Sequence, residues 1–394
     1  MQKVAQIDAS ASSSNLSGML ILLMAVTCGV VVANIYYNQP LLIQIAETFG
    51  VSEQRVSWIA TITQVGYTLG LFFVVPLGDK VERKKLILIK LVGAALALFA
   101  AAMAGNFYVL LAASLYIGFF SAVPQLLLPM AASLANDKNR GKVLGQVMSG
   151  LLVGILLSRT LSGFMGAAFG WRTVFYFGTL VMILLMALLY WKLPKNEPEF
   201  LGSYGGLMRS MLGYIKELPV LRTAAVTGFF MFGAFSIFWT TLVFLLEGKP
   251  FFYESDMVGL FGLIGTCGAL AAPMAGKWID KKGAQFAIRI GIFAVFLAFV
   301  VMDFSATSLL GLILGVVLLD IGLQVTHVSN QSKVFALVPE ARSRLNTIYI
   351  SASFAGGSIG SLMGAMAWTY WHWTGVCVLG AIFVAIALVI NLRK

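Results

Sequence analysis

Charge is what this sequence has least of. Only 11% of its 394 residues are Asp, Glu, Lys or Arg, less than half of the roughly 25% usual in a soluble domain. With 59% hydrophobic residues, that scarcity excludes an ordinary water-soluble globule. Histidine is nearly missing too. His327 and His372 have no nucleophile–base or metal-ligand pattern around them, so neither an enzyme nor a metal or other cofactor is expected. No G-x-x-x-x-G-K-[ST] run exists to cradle nucleotide phosphates, which argues against direct drive by ATP. Nor are there the rings of filter residues or charge that a channel needs. Cys28, Cys267 and Cys377 fall in separate apolar runs and read as small packing residues rather than a disulfide or metal set.

What the chain does have is apolar length. A membrane span takes about 20 mostly apolar residues, and twelve runs qualify: 18–44, 56–77, 86–104, 107–135, 142–168, 171–192, 221–246, 256–279, 285–303, 306–336, 342–368 and 371–391. In lipid each must satisfy its own backbone polar groups, so each is expected to be a helix. The longer runs imply tilt or extension past the bilayer. Of 27 Lys and Arg, Arg55, Arg172 and Lys249 fall in loops on one side and Arg159 inside the fifth span. The other 23 lie in loops, adjoining helix ends and termini on the opposite side. This positive-inside pattern places both termini in the cytoplasm and explains the net charge of +11 without nucleic acid. Residues 1–17 read as a polar cytoplasmic tail; cleavage as a signal peptide would invert the charge pattern.

Between the sixth and seventh spans, a Pro- and Gly-rich stretch of mixed charge reads as a linker with one amphipathic surface helix. It divides the chain into a tail 1–17, a first bundle 18–192, a cytoplasmic linker 193–220 and a second bundle 221–394. The halves echo each other. PLGDKVERKK (76–85) and GKWIDKKG (276–283) each follow the second helix of their half, and RGKVLGQ (140–146) and RLNTIYI (344–350) each open the fifth. Parallel repeats of this kind belong to transporters that rock about a site between the halves.

These residues resemble the major facilitator superfamily, over all twelve spans. Its loop signature G-x-x-x-D-R/K-x-G-R-R/K is met in the second half by Gly276, Asp280, Lys281 and Gly283. The first half keeps Asp79, Lys80, Arg83 and Lys84, with Val75 and Glu82 where the glycines belong. ANIYYNQPLL (33–42) and GILLSRT (154–160) are similar to a bacterial 12-helix group of drug and metabolite:proton antiporters. The resemblance implies an all-α membrane protein of twelve transmembrane helices in two pseudo-symmetric six-helix bundles. It implies a monomer in the bacterial inner membrane. It also implies a gating role for Asp79, Arg83, Lys84, Gly276, Asp280 and Gly283: glycines permit close approach, and the aspartate makes a contact present in one state only. On the plainer reading KVERKK only sets topology.

The fifth span departs from the family. Where its antiporter signature reads g-x-x-x-G-P-x-x-G-G, this chain has Gly154, Ser158, Arg159, Ser162 and Gly163, followed by Gly170-Trp171-Arg172. Arginine replaces the proline, so the kink is lost and a guanidinium there needs an acid, carbonyls or an anionic substrate. In the fourth span, Ser114 stands four residues before Gly118 where many relatives carry an arginine linked to proton coupling. Either Arg159 has taken over that charge or the coupling differs from theirs.

Asp320, Gln324, His327 and Gln331 are spaced i, i+4, i+7, i+11 along one face of the tenth span. A charged group at a helix centre costs at least ~2.5 kcal/mol, so the stripe is expected to face a cavity. The alternative is an interhelical hydrogen-bond ladder. Asp320 is the candidate proton carrier, with Arg159 and His327 as coupling partners. Asn34, Tyr37, Asn38, Gln64, Tyr67 and Gln125 complete the expected substrate cavity with Gln324 and Gln331, although for each amide singly ordinary interhelical bonding is the plainer reading. Pro124 and Pro129 should bend the fourth span. Gly150 and Gly154, and Gly356, Gly360 and Gly364, read as close-packing seams.

The expected function is secondary transport by alternating access: proton-coupled efflux of a small amphipathic molecule or metabolite. Its partners are a small-molecule substrate, protons and the lipid bilayer. Import or uniport of an organic anion held by Arg159 is the alternative. A membrane receptor that keeps the fold without moving solute is a third reading.

Overall fold

The structure is a computed structural model that describes residues 17–136, 139–195, 202–265, 271–338 and 341–392, and every regular element among them is helical. The first span begins as α1 (Gly18–Ala33), capped by the Ser17 hydroxyl. It does not run on to residue 44 as one helix. The chain turns through 34–38, tightens into a 3₁₀ turn over Gln39–Leu41 and resumes as α2 (Leu42–Phe49). Pro40, which lacks an N–H, falls in that turn. A short α3 (Glu53–Val56) leads into α4 (Trp58–Leu69), whose span continues as a π turn over Gly70–Val74 and a 3₁₀ turn over Val75–Asp79.

The third span is α5 (Arg83–Ala102). The fourth is broken where Pro124 is expected to bend it, α6 (Phe107–Phe120) ending at Ser121 and α7 (Pro124–Leu134) starting on Pro124, whereas Pro129 lies inside α7 without ending it. α8 (Arg140–Phe169) and α9 (Trp171–Lys192) complete the first six. The linker carries the expected amphipathic helix, α10 (Tyr204–Glu217), with Leu207 and Met211 buried. The second six follow as α11 (Pro219–Glu247), α12 (Ser255–Ile264) with α13 (Ala272–Lys282), α14 (Ala284–Phe304), α15 (Leu309–Phe335) and the run α16 (Arg342–Leu392). α16 breaks at His372 (φ 50°, ψ −147°) and so supplies the last two spans. Among the described residues, nine helical runs are long and apolar enough to cross a membrane. With α16 counted as two and the shorter α1 and α12 added, the described helices account for twelve spans.

Close backbone contact sets the packing. α1 lies along α8, where a Cβ on Gly154 would sit 2.1 Å from the Gly29 carbonyl oxygen. α11 lies along the first part of α16, where a Cβ on Gly360 would meet the Gly233 oxygen at 2.2 Å. α4 meets α6, α5 meets α9, and α15 meets α14. Between the first six spans and the last six, the main contacts are α8 on α12 and α4 on α16.

Candidate transport cavity

Between those two contact lines lies a cavity of about 820 Å³, reached by α1, α4, α7, α8, α11, α15 and α16. Its mouth is at the end that carries the basic loops, where Asp79, Arg83, Arg342 and Arg344 line it. The far end is sealed by hydrogen bonds across the two contact lines. Thr160 Oγ1 donates to the Gly259 oxygen at 2.9 Å, Ser255 Oγ to the Gly163 oxygen at 3.1 Å, and Gln44 Nε2 to Ser255 Oγ at 3.0 Å. Trp368 Nε1 donates to Glu53 Oε2 at 2.6 Å, and deeper in, Ser236 Oγ donates to Gln64 Oε1 at 3.2 Å. Among the described residues the cavity is therefore open toward the basic loops and closed at the far end.

The polar stripe of α15 faces this space: Asp320, Gln324, His327 and Gln331 all line it. Gln331 Nε2 donates to Asn346 Oδ1 at 2.9 Å, and His327 Nδ1 shares a 3.1 Å hydrogen bond with the Tyr349 hydroxyl. Those two are tied into a ladder. Among the described residues Asp320 is not, because its Oδ2 is buried without a hydrogen-bond partner there. Tyr67 and Gln125 also line the cavity, with the Tyr67 ring 4.4 Å from Phe354.

Arg159 lies just behind this wall, 2% exposed. Its Nε donates to Gln39 Oε1 at 2.7 Å, and Nη1 reaches the Ile155 oxygen at 3.5 Å. The guanidinium lies over Trp239 at 4.1 Å and over Tyr36 at 4.6 Å, while Nη2 is buried with no hydrogen-bond partner among the described residues. Tyr36 and Phe235, which line the cavity, stand between it and the open space. No hydrogen bond joins Arg159 to Asp320, yet each lies within the electrostatic reach of the other. One comes from α8 and the other from α15, so the two opposite charges belong to different halves of the chain.

Asn34, Tyr37, Asn38 and Gln64 do not line the cavity, contrary to the sequence expectation. Asn34 Nδ2 reaches Ser121 Oγ and Met182 Sδ, each at 3.5 Å, and Asn38 Nδ2 donates to Thr63 Oγ1 at 3.1 Å. Tyr37 packs beside Gly178 of α9, and Gln64 belongs to the seal. The reason is helical phase. Val32 and Tyr36, four apart, are the first-span residues on the cavity, and the turn at 34–38 carries its polar neighbours to the other side. Polarity alone misplaced them; the one-turn spacing of Val32 and Tyr36 was the available signal.

At the mouth, Arg83 Nη2 pairs with Asp79 Oδ1 at 3.1 Å and its Nε donates to the Gly78 oxygen at 3.0 Å. Lys84 turns elsewhere, over the Tyr190 ring at 5.8 Å. Gly283, between α13 and α14, has φ +85°, which explains glycine by backbone conformation. A Cβ on Gly276 or Gly283 would meet nothing within 4 Å, so neither serves close helix approach here. The Asp280 side chain lies outside the described residues. Sequence reading also passed over Tyr36, Gln39, Phe235 and Trp239, which together enclose Arg159.

The family model of the Major Facilitator Superfamily matches residues 20–360 and again 255–393. An uncharacterised transporter, YgaY, of Escherichia coli O157:H7 is 41% identical over 376 residues, which is 95% of each chain. A probable transporter of Streptomyces coelicolor is 34% identical over 90% of this chain and 83% of its own. Among solved structures, the human organic anion transporter MFSD10 superposes with a TM-score of 0.72 at 17% identity, covering 95% of this chain and 98% of that one. A bacterial homologue of the human lysosomal transporter Spinster, inward-facing and occupied, gives 0.74 at 13% identity over 95% and 96%. With twelve helical spans closed at one end around a largely apolar cavity that carries a polar stripe, this chain is a multi-pass membrane transporter and belongs to the major facilitator superfamily.

Proposed function

We propose that the protein exports a small amphipathic molecule in exchange for protons. It works by alternating access between a bundle of residues 18–192 and a bundle of residues 221–394, joined by a cytoplasmic linker at 193–220. It sits as a monomer in the bacterial inner membrane, both termini in the cytoplasm, with the tail 1–17 outside the bundles. The observation that carries this reading is the Asp320 carboxyl, which lines the cavity, has no hydrogen-bond partner for Oδ2 among the described residues and lies within electrostatic reach of Arg159 on the other half. A charged group at the middle of a span costs at least ~2.5 kcal/mol, so a carboxyl kept there has a use for changing its charge.

Ionised, Asp320 is held toward Arg159 by attraction; protonated, it loses that pull and can donate to a ligand. Proton and substrate then compete for one carboxyl, and each biases the halves toward a different closure. An amphipathic molecule suits the aromatic lining of Tyr36, Tyr67, Phe232, Phe235 and Phe354. The test uses proteoliposomes containing a pH dye and a panel of organic cations, neutral amphiphiles, sugars and organic anions, with Asp320→Asn beside wild type. Proton flux triggered by one class and abolished in Asp320→Asn is the expected result. Flux unchanged in Asp320→Asn refutes the assignment.

Arg159 Nη2, which has no hydrogen-bond partner among the described residues, favours a second reading, uptake or uniport of an organic anion. Solute flux without proton movement, lost in Arg159→Gln, would select it. In the conformation described, an anion entering from the mouth meets Asp320 before Arg159, which supports the first reading.

A further inference from the structure

Lys90 does not line the cavity, yet it is a cation buried inside the fold. It sits in the second turn of α5, 2% exposed and turned into the bundle. No carboxylate pairs with it among the described residues. Its ammonium donates to the Phe119 carbonyl and lies over the rings of Phe119 at 4.6 Å and Phe120 at 5.7 Å.

That carbonyl belongs to the last turn of α6, where the fourth span breaks. In an unbroken helix it would accept the Val123 N–H. Here the chain leaves helical geometry at Ser121, and the Ser121 N–H serves the Ile117 and Gly118 oxygens, both at 3.1 Å. Lys90 takes the next carbonyl along. A cation at a helix C-terminus also complements the negative end of the helix dipole.

The second span meets the same oxygen. A Cβ on Gly70 would lie 2.4 Å from it, and Gly70 is where α4 gives way to the π turn and then the 3₁₀ turn. Two spans thus lose regular helix at one point, beside one ammonium. Beyond it, Val75 and Asp79 on the second span and Gln125 and Pro129 on the fourth line the cavity toward its mouth. An apolar side chain would fill the same place without a buried charge to desolvate. The charge is explained by what it holds.

We propose that Lys90 is a positioning residue for transport. Its ammonium pins the joint where the second and fourth spans interrupt, so that the segments below the joint move as hinged pieces when the mouth opens and closes. It touches neither substrate nor the Asp320 proton. The inference rests on the alternating-access reading above.

The test is a distance measurement between spin labels at Ser133 and Ser343, which line the mouth from opposite halves, in lipid nanodiscs with the three native cysteines replaced. The parent is expected to show a mouth-open and a mouth-closed distance. Lys90→Met should change their ratio roughly tenfold, the scale of one hydrogen bond to a charged group, and Lys90→Arg should restore it. A parent-like ratio in Lys90→Met overturns the proposal, even if thermal stability drops. So does an equal shift in Lys90→Arg, which would point to packing rather than charge. Should Lys90→Met fail to accumulate, Lys90→Gln decides in the same way: a shifted ratio supports the pin, and an unshifted one overturns it. A single narrow distance in the parent refutes alternating access and this inference together.

Discussion

The far-end seal can be pried open with one methyl group. A Cβ on Gly163 of α8 would lie 2.3 Å from the Ser255 carbonyl oxygen and 3.0 Å from the Gly259 Cα of α12. A carbon tolerates an oxygen at about 3.3 Å, and both obstacles are backbone, so the two helices must part by roughly 1 Å. Overpacking of this kind costs about 1–3 kcal/mol. The cost falls only on states in which α8 and α12 are together. At about 1.4 kcal/mol per tenfold, a penalty of about 2 kcal/mol moves the equilibrium toward far-end opening by roughly thirtyfold. Gly163→Ala should therefore lengthen the distance between spin labels at Glu47 and Phe252, which are exposed on opposite sides of the seal. Gly141→Ala on the same helix, where a Cβ meets nothing within 4 Å, should leave it unchanged. A far-end distance in Gly163→Ala equal to that of wild type refutes the argument that this backbone contact is the seal.

Gln39→Leu removes the acceptor of the 2.7 Å bond from Arg159 Nε. A buried charged donor left bare costs about 1.5–3 kcal/mol, so the thermal midpoint should fall by several degrees, read by intrinsic fluorescence in detergent. Tyr349→Phe deletes the 3.1 Å bond to His327 Nδ1. It should cost about 1 kcal/mol of stability without changing the proton-to-substrate ratio; a changed ratio in flux assays would move His327 from the ladder into the proton path.

The spans were legible because each is a long apolar run, and the membrane leaves the backbone only one way to satisfy itself. Interruptions were legible where proline caused them, as at Pro124. The turn at 34–38 and the π turn at Gly70 were not, because no residue there forbids a helix; neighbouring helices impose the shape. The α15 stripe was readable since four polar residues keep one phase over three turns. The Arg159 cage was not, because Tyr36, Gln39, Phe235 and Trp239 come from two distant segments and look like ordinary span residues singly. Lys90 was countable with the basic loops on sequence, though it lies well inside an apolar run. Only the Phe119 carbonyl shows what it holds.

The glycine seams have a mechanical meaning. Where α8 meets α12, backbone faces backbone: Gly259 abuts the Arg159 oxygen and Gly163 abuts the Ser255 oxygen. At these glycines no side chain has to change rotamer before the faces part. The closed end is thus a smooth bearing at these points, latched by bonds such as Thr160 to Gly259 and Ser255 to Gly163, and it opens when those few latches let go.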